Sequence, residues 1–396
     1  MAGLPKVSFN KGEGGLGRPL PGKDHISGLI FYFLNANLPT GFATTDMSTR
    51  VKTVYSLEGA EALGILEAGA NTTILWYHVK EYFRTNPKGQ LWIYLCDNTS
   101  VDYDEPEELQ RYAEGVIRQI GVFDLLAFVT GSMTTLQASA AVMDSEFMPC
   151  EILYAADMQA LTLGALTDLG LLSNENVSLV IGEDGTGAGA ALAISEATSI
   201  TTLGATLGTV SSAKVNQSIG YKKLFDLSDG TELEVPAFAT GTTVTLYKDQ
   251  AVSLRNTLHD NGYIFLVKDV GFPGVYHNGD RTAVATTSDF ASIRNNRTIN
   301  KAQRNVRVVL LPEVNGELFF NADGTLSEDT IAFFKTEAAR PLVQMQRDGE
   351  ISAFSVAIDP TQASQSTGQL ELTVKIVPVG VAEEIVVNIG FALTTD

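Results

Sequence analysis

Between about residues 50 and 215, continuous apolar runs alternate with stretches whose apolar positions recur at helical spacing. The runs "QLWIYLCD", "VFDLLAFVT", "CEILYAA" and "VSLVIGED" are apolar throughout, the pattern of strands buried on both faces. Between them, "EPEELQRYAEGVIRQIG" places Leu109, Tyr112, Val116 and Ile120 on one helical face. "MTTLQASAAVMDSEF", "DMQALTLGALTDLGLL" and "GAGAALAISEATS" also read as helices, and "RVKTVYSLEGAEALGIL" contains a helical portion. This alternation predicts an α/β fold, a mostly parallel sheet core with flanking helices.

Outside that region the pattern changes. Residues 1–45 carry Gly12, Gly14, Gly15, Gly17, Pro19, Pro21 and Gly22, a density that forbids a helix and predicts an extended arm before a first core strand. Inside the arm, "KVSFN" alternates as a short strand, with Val7 and Phe9 on one face. Residues 216–246 have short alternating runs and the turn signals "SDGT" and "ATGT", which predict a small β insertion. Residues 247–360 return to helices and strands. They include a hairpin expected to turn at Asn278 and Gly279, a helix around "SDFASIRNNRTINKAQRNV", a helix starting near Ser327 and Glu328, and the strand "ISAFSVAID". Residues 361–396 begin with the linker "PTQASQSTG" and end in the strands "LELTVKIVP" and "EEIVVNIGFAL". The α/β core is thus expected to span 46–215 and to be completed by 247–360.

Composition narrows the function. The chain has 396 residues, enough for two or three structural units, and its 44% hydrophobic content supplies their cores. Its 27 basic and 46 acidic residues leave a net charge of −19, which repels phosphate backbones, so no nucleic-acid partner is expected. No apolar stretch reaches the ~20 residues of a membrane span, and the opening residues lack the pattern of a secretory leader. Cys96 and Cys150 lie in or beside apolar runs and are expected as buried thiols.

Candidate chemistry is sparse. Gly185, Gly187 and Ala190 in "GEDGTGAGAALAI" match a dinucleotide-binding spacing, but no acidic residue ends a strand about 20 positions later, and a close-packed turn is the simpler reading. His25, His78, His259 and His277 form no zinc spacing, and His277 in the expected hairpin reads as a solvent-facing turn residue. "DNTSVDYDEPEEL" gathers Asp97, Asp102, Asp104, Glu105, Glu107 and Glu108, a calcium candidate whose simpler reading is a solvated acidic helix start. No catalytic residue, cofactor or metal is therefore expected. In contrast, "RTINKAQRNVR" concentrates Arg297, Lys301, Arg304 and Arg307 in an acidic chain, a basic patch suited to an acidic neighbour.

That segment and its surroundings, "LRNTLHDNGYIFLVKDVGFPGVYHNGDRTAVATTSDFASIRNNRTINKAQRNVRVVLLP", resemble the core segment of contractile tail sheath proteins of phages and phage-like injection particles. In those proteins a Gly-Tyr-Ile type strand precedes a Gly/Asn/Asp hairpin and a helix with an Arg-x-Ile-x-Lys-Ala pattern, here Arg297, Ile299, Lys301 and Ala302. The C-terminal order is similar too: a strand "GEISAFSVAID", a Gln/Thr-rich link, then "LELTVKIVPVGVAEEIVVNIGF". The opening "VSFNKGEGGLGRPLPGKDHISGLIFYF" resembles the arm and first core strand of the same family.

The resemblance implies a structural polymer and no enzyme. Subunits stack in rings around a tail tube, and extended N- and C-terminal β arms form a small intersubunit sheet with neighbours. The mesh contracts without a nucleotide and drives the tube through a target envelope. Its implied partners are copies of itself, the tail tube protein, and baseplate and tail terminator components. Its implied place is a virion tail or phage-like particle assembled in the producing cell's cytoplasm. Strand exchange would use Val7, Phe9, Ile385, Val387, Ile389, Phe391 and Leu393, and the basic patch would meet the tube or a neighbour. Burying the five C-terminal apolar side chains would contribute roughly 7 to 15 kcal/mol before entropy, at ~1.5 to 3 each. Two alternatives remain from the residues: a non-contractile virion or surface protein using the same exchange, and a cytosolic α/β enzyme binding a nucleotide at "GEDGTGAG".

Overall fold

The stretch "ISGLIFYF" has no polar residue beyond Ser27, and it forms a strand buried along nearly its whole length, Ile26–Phe33 (β1). In the computed structural model, which describes residues 23–69, 72–387 and 389–391, this strand lies inside a six-stranded sheet. The other strands are Val51–Val54 (β2), Gln90–Asp97 (β3), Gln119–Ala127 (β4), Glu151–Asp157 (β5) and Val177–Leu179 (β6), in the order β2-β3-β1-β4-β5-β6. Strands β1, β3, β4, β5 and β6 are parallel, and β2 is an antiparallel edge. The mostly parallel core expected from the uniform apolar runs is therefore present.

Side chains of β1 alternate between two cores. Ile30 and Tyr32 face one that includes Leu109, Met133, Leu136 and Met143 from the helices Glu105–Tyr112 and Thr130–Ser145. Leu29, Phe31 and Phe33 face the other, with Val79 and Tyr82 from the helix Thr73–Thr85 and Leu203, Leu207 and Val210 from the helix Leu203–Ser212. The last two helices approach closely because Gly204 and Gly208 face the first. A Cβ at Gly204 would sit 2.2 Å from the His78 carbonyl oxygen, and one at Gly208 would sit 2.6 Å from that of Tyr82. Cys96 and Cys150 are free and buried.

Four local expectations are corrected. The helix at Glu105 stops at Tyr112, since Glu114 and Gly115 adopt φ of 52° and 68°, so Val116 leaves the helical face and Ile120 belongs to β4. "DMQALTLGALTDLGLL" forms only the short 3-10 turns Leu163–Ala165 and Leu169–Leu171. "VSLVIGED" divides between β6 and a second strand, Gly182–Asp184, which pairs with Pro236–Phe238 in a three-stranded sheet completed by Thr245–Leu246. Asn278 and Gly279 are no hairpin turn. The strand Tyr276–His277 pairs backward with Leu266–Val267, and Asn278 Oδ1 accepts from the Phe265 amide at 2.8 Å, which uses Asn278 as an internal brace. The helices Thr73–Thr85 and Leu203–Ser212 were not anticipated.

The C-terminal part packs differently. The helices Ile293–Leu310 and Glu328–Arg347 lie against each other, and the antiparallel hairpin of Ile351–Ala357 and Thr373–Pro378 lies against them. Ser327 caps the second helix by accepting from the Thr330 amide at 3.2 Å, as its place before an acidic first turn predicts. The cross-strand pairs Phe354–Ile376 and Val356–Val374 form the hairpin's inner face, over Ala302, Leu342, Met345 and Ile351. Among the described residues no helix is long and apolar enough to cross a membrane.

The interhelix contact yields a stability test. Gly204→Ala is expected to lower unfolding stability by about 1–3 kcal/mol, the usual effect of overpacking a backbone contact, as measured by urea denaturation. An unchanged midpoint would show that the two helices separate without penalty.

Candidate functional site

The helix Ile293–Leu310 carries Arg297, Lys301 and Arg304 at i, i+4 and i+7, hence on one face. That face points into the protein. Lys301 Nζ donates to Asp24 Oδ2 at 2.8 Å and to Glu350 Oε1 at 2.5 Å. Arg304 Nη2 lies 3.8 Å from Asp24 Oδ1. Arg297 is only 3% exposed, and its guanidinium donates to the carbonyls of Ala213 at 3.3 Å and Lys214 at 3.4 Å. Asp24 stands two residues before β1, and Glu350 immediately precedes the hairpin strand Ile351–Ala357. One ammonium thus ties the entrance of the core sheet to the base of the C-terminal hairpin.

Electrostatics reflect this arrangement. Burial alone would raise the Asp24 carboxyl, but Lys301, Arg297 and Arg304 hold it below its ordinary value of 3.8. Burial would likewise lower Lys301, and Asp24 and Glu350 raise it instead. Arg304 falls to about 9, first through burial and then through the neighbouring Arg118 charge. Beside the hub, Glu151 is pushed up to about 8 by burial, although Asn176 and Asn300 each donate to it at 3.2 Å. Of the four cations expected on a contact surface, Arg297 is buried, Lys301 and Arg304 are half-buried and turned toward Asp24, and half-buried Arg307 stacks over the Phe147 ring at 4.3 Å.

The hairpin and the residues after it form the second part of the site. Its two strands pair only with each other among the described residues, so both outer edges are unpaired. Residues 381–387 form no strand within the chain. Glu383 is nevertheless held, its carboxylate accepting from Arg294 Nη2 at 2.8 Å, which lowers its pKa. Arg294 also pairs with Asp280. Beyond that anchor Ile385, Val387, Ile389 and Phe391 are all solvent-exposed, Ile389 at 95%. Val7, Phe9 and Leu393 lie outside the described residues.

The remaining candidates are absorbed by packing. At Gly187 the space next to the helix start is filled by carboxylates: a Cβ there would lie 2.1 Å from Asp184 Oδ2 and 2.5 Å from Glu232 Oε2. Glu232 accepts from the Ala188 amide at 2.9 Å, so the donor that would meet a phosphate is occupied by a negative group. At the carboxyl ends of β1 and β4, where an open parallel sheet would take a ligand, Tyr32 donates to Glu105 at 2.7 Å and Tyr154 to Asp124 at 3.1 Å. The acidic stretch after β3 does not converge. Glu108 accepts from Tyr94 at 2.6 Å and Asp97 from Asn35 at 2.5 Å, while Asp102 and Asp104 are exposed. Among the described residues no group of three His, Cys, Asp or Glu is placed to hold a metal ion. His277, expected in solvent, is buried with Nε2 3.0 Å from Thr206 Oγ1, because its strand turns into the core.

The family described as DUF2586, C-terminal domain, matches residues 289–396, from just before the cationic helix through the hairpin and the segment after it. No curated protein matches the chain in sequence. Among solved structures, a chain of the anti-feeding prophage baseplate is similar over 99% of this chain and 100% of its own length, at 12% identity and a TM-score of 0.65. The sheath of an extracellular contractile injection system, PVC, in its contracted state covers 99% of each chain at 12% identity and 0.61. The anti-feeding prophage helical sheath in its contracted state covers 98% of this chain and 99% of its own, at 13% identity and 0.60. The chain has the contractile tail sheath fold. The resemblance read in its residues is borne out at that level, and with it the mixed α/β class.

Within this sheath fold the charged hub has measurable consequences. Lys301→Met would strand two carboxylates whose side chains are 15% and 8% exposed, and is expected to destabilise by about 3 kcal/mol in urea denaturation. Adding Asp24→Leu and Glu350→Leu should recover most of that loss, and a single variant as stable as the parent would remove the hub's structural role. Because the folded pKa of Asp24 is depressed, its contribution is present above 3.8 and is lost as pH falls through the lower folded value.

Glu151 has the opposite sign. Its folded pKa of about 8 exceeds the ordinary 4.5, so the folded state binds the extra proton and stability falls as pH rises across that window. Glu151→Gln lacks this loss. The variant's melting temperature relative to the parent should therefore rise from pH 5 to pH 8, and a constant difference would show that Glu151 is ionised in the folded protein.

Proposed function

We propose that the chain is the subunit of a contractile tail sheath, polymerising around a tail tube and contracting to drive it through a target cell envelope. The observation that carries this reading is the C-terminal hairpin. Among the described residues both its edges are unpaired, and an exposed apolar segment follows it on a chain with the sheath fold over nearly its whole length. An edge strand offers a row of backbone donors and acceptors, and a strand added from another copy satisfies them while side-chain pockets fix the register.

In this reading Ile385, Val387, Ile389, Phe391 and Leu393 enter a neighbour's sheet, and Val7 and Phe9 do so from the other end of the chain. The Arg294–Glu383 pair fixes where the C-terminal arm leaves its own subunit. The role is structural, with no enzymatic step. Partners are copies of the chain, the tube protein, and the baseplate and terminator components of a phage tail or phage-like particle. The carboxylates at Gly187 favour this over a nucleotide-binding enzyme.

Negative-stain electron microscopy of the full-length protein is expected to show tubes or stacked rings. Removal of residues 381–396, or the exposed pair Ile389→Asp and Phe391→Asp, should leave folded monomers with the parent's circular dichroism. Tubes of normal length from the truncated chain would refute the arm assignment.

A further inference from the structure

The parallel sheet gives the molecule two chemically different ends. At the amino ends of its strands, Asp24 precedes β1, Arg118 precedes β4 and Met148 precedes β5, and with the helix Ile293–Leu310 they enclose a cleft of about 540 Å³. Its cations are Arg118, Lys301, Arg304 and Arg307, and its carboxylates are Asp24, Glu114 and Glu146. Lys301 takes Asp24 at 2.8 Å, and Arg111 takes Glu146 at 2.6 Å. Arg118 spends its donors on the neutral carbonyls of Gly115 and Ile117. Lys301 also takes Glu350, and Arg304 lies 3.8 Å from Asp24, so Arg118 and Arg307 stand against the carboxylate of Glu114, a local cationic excess in a chain whose overall charge is −19. Exposed Phe147 and Val308 line the same cleft.

The carboxyl ends carry the complement. The loop after β3 exposes Asp102 and Asp104, whose carboxylates have no hydrogen-bond or ion partner among the described residues. Leu34, Leu126 and Val129, at or just beyond the ends of β1 and β4, are exposed at the same end. The eight residues of β1 separate the two ends by about 26 Å, at ~3.3 Å per residue. Acidic and apolar groups thus lie at one pole, cationic and apolar groups at the other.

We propose that the Arg118–Arg304–Arg307 cleft of one subunit receives the Asp102–Asp104 loop of the next, a head-to-tail contact between copies of this chain. Such a heterologous contact generates rings or helical filaments instead of closed pairs, and guanidinium groups are suited to hold carboxylates by paired hydrogen bonds. It rests on the sheath reading only in requiring that the chain polymerise. It differs from strand exchange in using none of the arm residues.

The test uses full-length protein in three forms: the parent, Asp102→Lys/Asp104→Lys, and Arg304→Glu/Arg307→Glu. Sedimentation and electron microscopy at about 0.1 M salt measure the concentration needed for assembly. Each double variant alone is expected to raise that concentration at least about tenfold, since like charges then face each other. An equimolar mixture of the two should assemble again, because each reversed surface meets its complement. The loop variant alters only exposed, unbonded side chains, so its fold does not depend on the result; a melting curve checks the cleft variant. Assembly of the loop variant at the parent's concentration would overturn the contact, as would a folded mixture that fails to assemble. A parent that stays monomeric would instead overturn the sheath reading, and the contact with it.

Discussion

The structure depends on one ammonium group placed between two carboxylates. Lys301 meets Asp24 and Glu350, residues separated by most of the sequence, and each of these stands at the start of a strand. Removing three charges from water is expensive, and their mutual attraction offsets this only when geometry is good. Here the geometry does more than balance charge. It fixes the entrance of β1 and the base of the C-terminal hairpin to the same turn of one helix, so a displacement of that helix moves both together. A hydrophobic contact would hold them too, but without the directionality that sets which groups meet.

The parallel core was legible because its strands are buried on both faces, and such strands need apolar residues at every position. "ISGLIFYF", "QLWIYLCD" and "CEILYAA" became β1, β3 and β5 for that reason. The failures have equally local causes. "DMQALTLGALTDLGLL" has helical spacing, yet Gly164 and Gly170 fall in two short turns, and the segment follows the surface without completing an α-helix. "VSLVIGED" is one apolar run serving two sheets, a division no periodicity reveals. The helix Thr73–Thr85 was missed although Leu75, Val79 and Tyr82 recur at helical spacing, the signal that was available to find it.

The charged helix shows why the site was harder to read than the fold. Clustered arginines and lysines in an acidic chain suggest a surface, but spacing alone places them on one face without saying which way it points. The buried face of Ile293–Leu310 is polar, with Asn296, Arg297 and Asn300 turned inward toward Ala213 and Glu151. Lys301 and Arg304 turn toward Asp24, and Arg307, out of its reach, lies over the Phe147 ring. The identities of the acidic partners were visible in the sequence; their convergence required the fold.

The hairpin presents the reverse problem, a feature that is costly unless something covers it. Two short strands with unpaired edges invite uncontrolled pairing. Here the outer face carries Ser355, Lys375 and Thr373 beside Ala353, Ala357 and the exposed Val377, while the apolar pairs Phe354–Ile376 and Val356–Val374 are turned onto the helices. The edges therefore offer backbone hydrogen bonds on a surface with few apolar groups, and in the proposed strand addition register comes from the arriving strand. An arm in which apolar residues alternate from Ile385 to Phe391 supplies one face to be buried and so distinguishes a correct register from a slip by one residue. In the proposed strand addition, the exposed arm and the weakly apolar outer face of the hairpin answer one constraint: the joint must stay open without closing on the wrong partner.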